Sequence, residues 1–388
     1  MRPDPHRRAR ICVVAAAPAT LDVFMLGHLI GLSTIGEVTA VADFAPGDAA
    51  PAWPAEIARV AIRVARPISP WADLLALLAL YRLFRARRFD VVHSITPKAG
   101  LLAMLAAALA GVPSRLHSFT GQVWVTRSGA MRALLKNLDK LVARLANQVL
   151  VDSPSQREFL IAQGVVAADV SSVIARGSIC GVDTARFHPD APARERVRRE
   201  LSIPMDAIVF LYLGRINRDK GLLDLAQAFS ELGRVRPNAH LVLVGPDEDK
   251  LGAAITAAAA DCAPRLHRVD FTDRPQDYFA AADVFCLPSY REGFGSTIIE
   301  AAAAGVPAIG SRIYGITDAI VEGETGLLFE AGDARQLAQS MLALAGDASL
   351  RRRMGQSAKE RALRDFSAAA VSAALLEYYA RLLAQRAD

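Results

Sequence analysis

Cysteine and aromatic residues are both scarce in this chain of 388 residues, which holds four cysteines and only 6% Phe, Trp and Tyr. Cys12, Cys180, Cys262 and Cys286 are widely scattered, with no C-x-x-C pair. That spacing excludes a disulfide-framed scaffold and a thiolate zinc site, and predicts buried thiols in a reducing compartment. Long apolar runs are missing as well: nothing reaches the ~18 residues of a membrane span, and the longest runs, 101–112 and 253–260, read as short alanine-rich helices. Any membrane contact is therefore expected to be peripheral. Zinc-finger spacings, recognition-motif aromatics and a basic tail are also absent, which argues against a nucleic-acid partner.

What is present is a well-mixed globular composition, 52% hydrophobic and 22% charged, enough for about two domains. Residues 1–10 are basic and 11–17 apolar, which imitates a secretory leader. The run is short, stops at Pro18 and is followed by helical periodicity over 21–32, so it is read as a first buried strand, a loop and a helix. Short apolar runs then alternate with helical patterns: 38–42, 60–64, 91–93, 115–118, 149–151 and 172–174, then 208–213, 240–244, 266–271, 284–287 and 307–310. The expectation is α/β, two doubly wound Rossmann-like domains facing across a cleft. The boundary is placed in the polar, Pro-containing segment 187–199. This gives a domain over 1–188 and a second over 189–365, with a last helix, 366–388, packing back on the first. Residues 1–190 carry 21 Lys or Arg against 14 Asp or Glu, the rest 24 against 26. The first half is thus expected to face something anionic, with a lipid surface or a phosphorylated acceptor favoured.

One stretch, 289–305, reads S-Y-R-E-G-F-G-S-T-I-I-E-A-A-A-A-G and follows an apolar run ending at Pro288. Strand, Gly-rich turn and helix in that order suit an anion, because the first helical turn leaves backbone N–H groups unpaired and carries about half a positive charge. Gly293 and Gly295 let a diphosphate approach the backbone, and Phe294, Ser296 and Thr297 add N–H groups. Glu292 in the turn and Glu300 inside the helix can accept hydrogen bonds from hydroxyls. Gly-rich turns are also ordinary punctuation, so the pattern alone does not decide.

Two strand ends in the first half add polar loops: H-S-I-T-P-K-A-G-L-L from His93 and R-L-H-S-F-T-G-Q-V-W from Arg115. Loops at the carboxyl ends of parallel strands are where ligands sit. His117, Thr120 and Gly121 are the first choice for contact with a reacting ligand, and His93, Thr96 and Lys98 the second, with Lys98 able to neutralise a phosphate. Further on, Arg132, Lys136, Lys140 and Arg144 recur every four residues along a helix starting near Gly129, with Asp139 its only acid, and predict a cationic stripe for lipid or lipid diphosphate. The segment 71–89 gathers leucines and aromatics, then Arg82, Arg85, Arg87 and Arg88. It reads either as a core helix with a cationic last turn or as an interfacial helix with Trp71 and Phe84 in the headgroup zone.

The 289–305 stretch resembles the E-x7-E signature of family 4 glycosyltransferases, with Glu292 and Glu300 as its glutamates. L-G-R-I-N-R-D-K-G from Leu213 is similar to the family's G-R-x4-K-G, and G-V-P-A-I-G-S and E-G-E-T-G-L-L-F extend the likeness. S-I-T-P-K-A-G-L, F-T-G-Q-V-W, D-S-P-S-Q-R-E-F-L and G-S-I-C-G-V-D-T-A-R-F resemble the bacterial enzymes that add an N-acetylhexosamine to undecaprenyl-diphosphate-linked sugars. The resemblance covers about residues 10–385. It implies the GT-B fold and a retaining transfer of hexose or N-acetylhexosamine from a UDP-sugar to a polyprenyl-diphosphate-linked saccharide in surface polysaccharide or glycan assembly, on the cytoplasmic face of the membrane, with no obligatory cofactor. Arg215 and Lys220 would stabilise the departing diphosphate, Glu300 hold the ribose, Glu292 the transferred sugar, and Gly293 to Thr297 the diphosphate. His117, Glu292, Arg215 and Lys220 are the expected catalytic residues. Asp247-Glu248-Asp249 matches a metal-binding D-x-D formally, but is read as a solvated loop. A UDP-sugar epimerase of the same fold and a transferase with a soluble acceptor are the alternatives.

Overall fold

The computed structural model describes residues 7–45, 53–65 and 69–385. The basic start, residues 1–6, and the end of the expected last helix, 386–388, lie outside those ranges. The chain forms two compact units, Met1–Cys180 with Ala368–Asp388, and Gly181–Ser367.

In the first unit, buried runs rich in Val and Ile form strands and the alternating segments form helices. The order is β1 (Ala9–Val14), α1 (Pro18–Phe24), α2 (Leu26–Leu32), β2 (Gly36–Ala42), β3 (Ala58–Ala61), α3 (Pro70–Arg87), β4 (Val91–Ile95), α4 (Pro97–Ala110) and β5 (Ser114–Phe119). Then come α5 (Gly129–Leu145), β6 (Gln148–Val151), α6 (Pro154–Ala162) and β7 (Ser171–Val173). All strand pairs are parallel, in the order β3-β2-β1-β4-β5-β6-β7. Successive strand residues face opposite ways, so Cys12, Val14 and Val92 meet α3, α4 and α5 on one face. Ile11, Val13 and Leu116 meet Leu21, Leu29 and Tyr379 on the other.

The second unit runs α7 (Ala191–Glu200), β8 (Ile208–Leu213), α8 (Leu222–Val235), β9 (Ala239–Val244), α9 (Gly252–Ala258), β10 (Leu266–Val269), α10 (Pro275–Ala281) and β11 (Val284–Leu287). It continues with α11 (Ser296–Ala303), β12 (Ala308–Ser311), α12 (Ile316–Ala319), β13 (Gly326–Phe329), α13 (Ala334–Gly346) and α14 (Ala348–Asp365). The last helix, α15 (Ala368–Ala384), belongs to the first unit, where Leu375, Tyr379 and Leu382 are buried. The second sheet is also parallel, ordered β10-β9-β8-β11-β12-β13. Arg198, wholly buried, ties α7 to it by an ion pair with Asp283 at 2.7 Å and bonds to the carbonyls of Pro204, Ala207 and Ala281.

Three expectations are corrected. The first strand is Ala9–Val14, because the chain turns before Pro18 and helix α1 opens there. The unit boundary falls at residue 180 rather than 188, since the Val182 N–H donates to Phe366 O at 2.8 Å and Val182 bridges Ser367, stitching the segment to the second unit. A sixth strand, β13, closes the edge of the second sheet. Its sequence, GLLF, is a short run between polar turns and was not expected to be a strand.

Candidate active site

In the second sheet the order of strands reverses between β8 and β11, and at such a point the loops after the two strands diverge and leave a crevice. The turns that carry Arg215 and Lys220 and that carry Glu292 are the two loops leaving this point. They are stitched together. The Tyr290 N–H donates to Asp219 O at 2.8 Å, Arg291 pairs with Asp219 at 2.8 Å, and the Tyr290 hydroxyl donates to Asp224. Gly221 permits this: its φ is +65°, and a Cβ there would lie 2.0 Å from Pro288 O. Gly315, at φ +83°, does the same against Gly293, whose carbonyl oxygen would be 2.3 Å from a Cβ.

Lys220 and Glu292 meet in an ion pair, both side chains largely shielded from water. Ser289 Oγ donates to the same Glu292 oxygen at 2.8 Å, which orients the carboxylate. Arg215 lies at the rim, 56% exposed and 3.1 Å from Glu248. An exposed pair of this kind is a weak tie, so the guanidinium is available to a stronger anion. The Phe294 side chain is buried against Phe366, ring centroids 5.1 Å apart, and anchors the turn. Helix α11 starts after Gly295, at φ +78°, and no side chain caps it. The backbone N–H groups of Ser296 and Thr297 in its first turn therefore take no side-chain partner. Glu300 is half-buried one turn in; loss of water pushes its carboxyl up to about 7, opposed by the positive charge of Arg186.

The Asp247-Glu248-Asp249 segment is a largely exposed loop, as expected, and its carboxylates are also tied to their surroundings. Asp247 accepts the N–H groups of Leu251 and Gly252 at 2.8 Å and pairs with Arg268, Glu248 takes Arg215, and Asp249 accepts the Arg218 N–H at 2.9 Å. Its three carboxylates hold the neighbouring backbone and the Arg215 turn. Among the described residues no cluster of three or more His, Cys, Asp or Glu side chains has metal-binding geometry.

In the first unit the two histidines lie inside strands, not in the loops after them. His93 is buried in β4, its Nδ1 and Nε2 within 2.8 and 2.7 Å of Tyr379 Oη and Ser118 Oγ. His117 is buried in β5, its Nδ1 2.8 Å from Ser94 Oγ and its ring seated against Gly100. Burial pushes both imidazoles down to about 3, so both are neutral. Lys98 is also committed: it pairs with Asp73 at 2.6 Å and donates to Ala65 O at 2.7 Å, so it is not placed to neutralise a phosphate.

His117 nevertheless lines a polar pit with Thr96, Thr120, Gly121, Gln122 and Asp139, with space of about 10 Å³, one water or one hydroxyl. Thr96 has a left-handed backbone, φ +73°, and its hydroxyl is buried without a partner, the kind of strain that collects at functional sites. Sequence reasoning missed what holds the pit. Gln156 of the D-S-P-S-Q motif donates to Thr120 O at 2.7 Å and to Gln122 Oε1 at 3.0 Å, and Asp139 accepts Trp124 Nε1–H at 2.8 Å. The one acid among the cations of α5 was the signal for the second of these.

On α5, Arg132 and Arg144 are exposed and Lys136 and Lys140 half-buried. Arg132 and Lys136 lie over the Trp124 ring at 5.9 and 5.5 Å, and Lys136 donates to Gln163 at 2.7 Å. On α3, Phe84 is core, whereas Trp71 is exposed.

The Glycosyl transferases group 1 family matches residues 193–361, and the Glycosyl transferase 4-like domain residues 33–177. The capsular polysaccharide biosynthesis glycosyltransferase CapM of Staphylococcus aureus is 30% identical over 80% of this chain and 82% of its own. A D-inositol 3-phosphate glycosyltransferase of Corynebacterium efficiens is 32% identical over 77% of this chain and 73% of its own. Among solved structures, the Anabaena protein HepE in complex with UDP superposes with a TM-score of 0.77 at 16% identity, over 96% of this chain and 100% of that one. At that identity the likeness shows the fold.

Proposed function

The chain belongs to the group 1 glycosyl transferases, and from that premise we propose that it moves a hexose or N-acetylhexosamine from a UDP-sugar to a polyprenyl-diphosphate-linked saccharide, with retention at the anomeric carbon. The observation that carries the donor half is the meeting of the two stitched turns and an uncapped helix start at the strand-order reversal of the second sheet. Arg215, Lys220 and the N–H groups from Gly293 to Thr297 would take the diphosphate, Glu300 the ribose hydroxyls and Glu292 a hydroxyl of the transferred sugar. HepE, of the same fold, was solved with UDP.

In the proposed reaction the bond from the anomeric carbon to UDP breaks and the bond to the acceptor oxygen forms on the same face. The acceptor proton passes to the departing β-phosphate oxygen, whose charge Arg215, Lys220 and the helix start stabilise without reorganising. His117, being neutral, would serve as a hydrogen-bond partner for a sugar hydroxyl beside Thr96, Thr120 and Gly121, not as an acid. The lipid-linked acceptor is supported by the cations of α5 and by similarity to CapM, a capsular polysaccharide enzyme. The inositol-phosphate relative favours a soluble acceptor as the second reading.

UDP release from a panel of UDP-hexoses and UDP-N-acetylhexosamines, with and without a short-chain polyprenyl-diphosphate sugar, tests this. Release that requires the lipid-linked acceptor is expected. Charge reversal at Lys136 and Lys140 should then slow transfer to it. Transfer to free or phosphorylated soluble sugars alone would replace this reading by the second, and epimerisation without acceptor would remove both.

A further inference from the structure

Helix α3 is apolar on both sides. Its inner side, Ala76, Leu80 and Phe84, is buried against the first sheet. Its outer side carries Trp71, Leu74, Leu75 and Leu78 at 74%, 41%, 58% and 41% exposure. Spacings of three, one and three residues put these four on one stripe, and the same stripe continues through Arg82 and Arg85. Single exposed leucines are ordinary, but a contiguous stripe with a tryptophan at one end and cations at the other is not. The only acid of α3, Asp73, is turned to Lys98, so the outward face carries positive charge alone.

We propose that this outward face of α3 docks the protein on an anionic bilayer, with Trp71 and the leucines in the headgroup boundary and the arginines on lipid phosphates. Tryptophan beside leucine on one face with Arg on the polar side is the composition of helices that lie in a membrane interface, and the charge complements anionic headgroups. Helix α4 packs between α3 and α5 on the same side of the sheet, so the exposed Met131 and Leu134 and the α5 cations belong to the same layer. Direction matters too. Between two parallel strands α3 runs antiparallel to them, so its Trp71 end lies at the carboxyl edge of the sheet, the edge that holds the Thr96–Gln122 pit. The inserting end is therefore the end at which a membrane-tethered sugar would arrive. The inference rests on the lipid-linked reading for its purpose, not for its geometry.

Co-sedimentation of the full chain with vesicles of phosphatidylglycerol and phosphatidylcholine, and with phosphatidylcholine alone, tests it. Wild type should bind the anionic vesicles, with a blue shift of tryptophan emission that Trp71→Phe removes. Leu75→Glu with Leu78→Glu should weaken binding about tenfold or more while circular dichroism is unchanged, and Arg82→Glu with Arg85→Glu should abolish the preference for anionic lipid. Wild-type binding by the leucine variant would overturn the proposal. So would a dimer in sedimentation velocity that this variant splits, since a second copy would then own the face. Both variants should transfer normally to a short-chain, water-soluble acceptor. If wild type binds vesicles but transfers to no lipid-linked acceptor, the functional reading fails and the docking surface stands.

Discussion

Glu300 links the candidate donor site to pH, because its carboxyl is held up to about 7 by burial while Arg186 opposes it. A ribose hydroxyl donates more strongly to an ionised carboxylate than to a neutral acid. UDP affinity should therefore fall several-fold as pH drops from about 8 to 6, and Glu300→Gln should flatten that dependence in calorimetric titrations. Stability runs the other way. The unfolded carboxyl loses its proton near the ordinary 4.5 and the folded one only near 7, so this group costs the fold stability as pH rises through that window. Glu300→Gln should raise the melting temperature more at pH 8 than at pH 5. Arg215 differs, as an exposed side chain tied weakly to Glu248. Arg215→Ala should leave the melting point within a degree or two while lowering kcat roughly 100-fold or more. These residues were legible in the sequence as a motif; their partners were not. Nothing in the one-dimensional pattern pairs Lys220 with Glu292, or Asp219 with Arg291, across some 72 residues, because that pairing depends on β8 and β11 lying side by side.

The turn after β8 and the turn after β11 are held in register by Gly221, which has neither room nor backbone freedom for a side chain. Gly221→Ala would force Pro288 away and cost about 1–3 kcal/mol in strain. Denaturant melts should show that loss, and UDP binding should weaken with it. The alternation of apolar runs and helical periods made most elements readable. The misplacements have two causes. In β4 every residue of V-V-H-S-I is buried, so the histidine that ends the apolar run on paper is satisfied inside the sheet by Tyr379 and Ser118, a partner from α15 and one from β5. β13 escaped because four residues with two half-buried leucines give too short a period to read.

At the scale of the whole chain, the doubly wound architecture was legible from the repeated strand–helix order, whereas strand order, and with it the reversal between β8 and β11, was not. Both sheets bury histidines as neutral rings. His93 and His117 are pushed down to about 3 and His240, bonded to His267 across 3.0 Å, to about 4. The unfolded rings take up protons near 6.5 and the folded ones only far below, so stability is full above that value and is lost as pH falls. The slope should approach roughly 1.4 kcal/mol per pH unit for each such histidine between about pH 6 and 4, and His240→Gln should reduce it. The central claim is that the reversal point of the second sheet is a nucleoside-diphosphate site. Calorimetric titration of UDP into wild type, Lys220→Ala and Glu300→Ala measures it most directly. The account predicts saturable binding by wild type, weakened about tenfold or more in each variant; equal affinity in all three would contradict it.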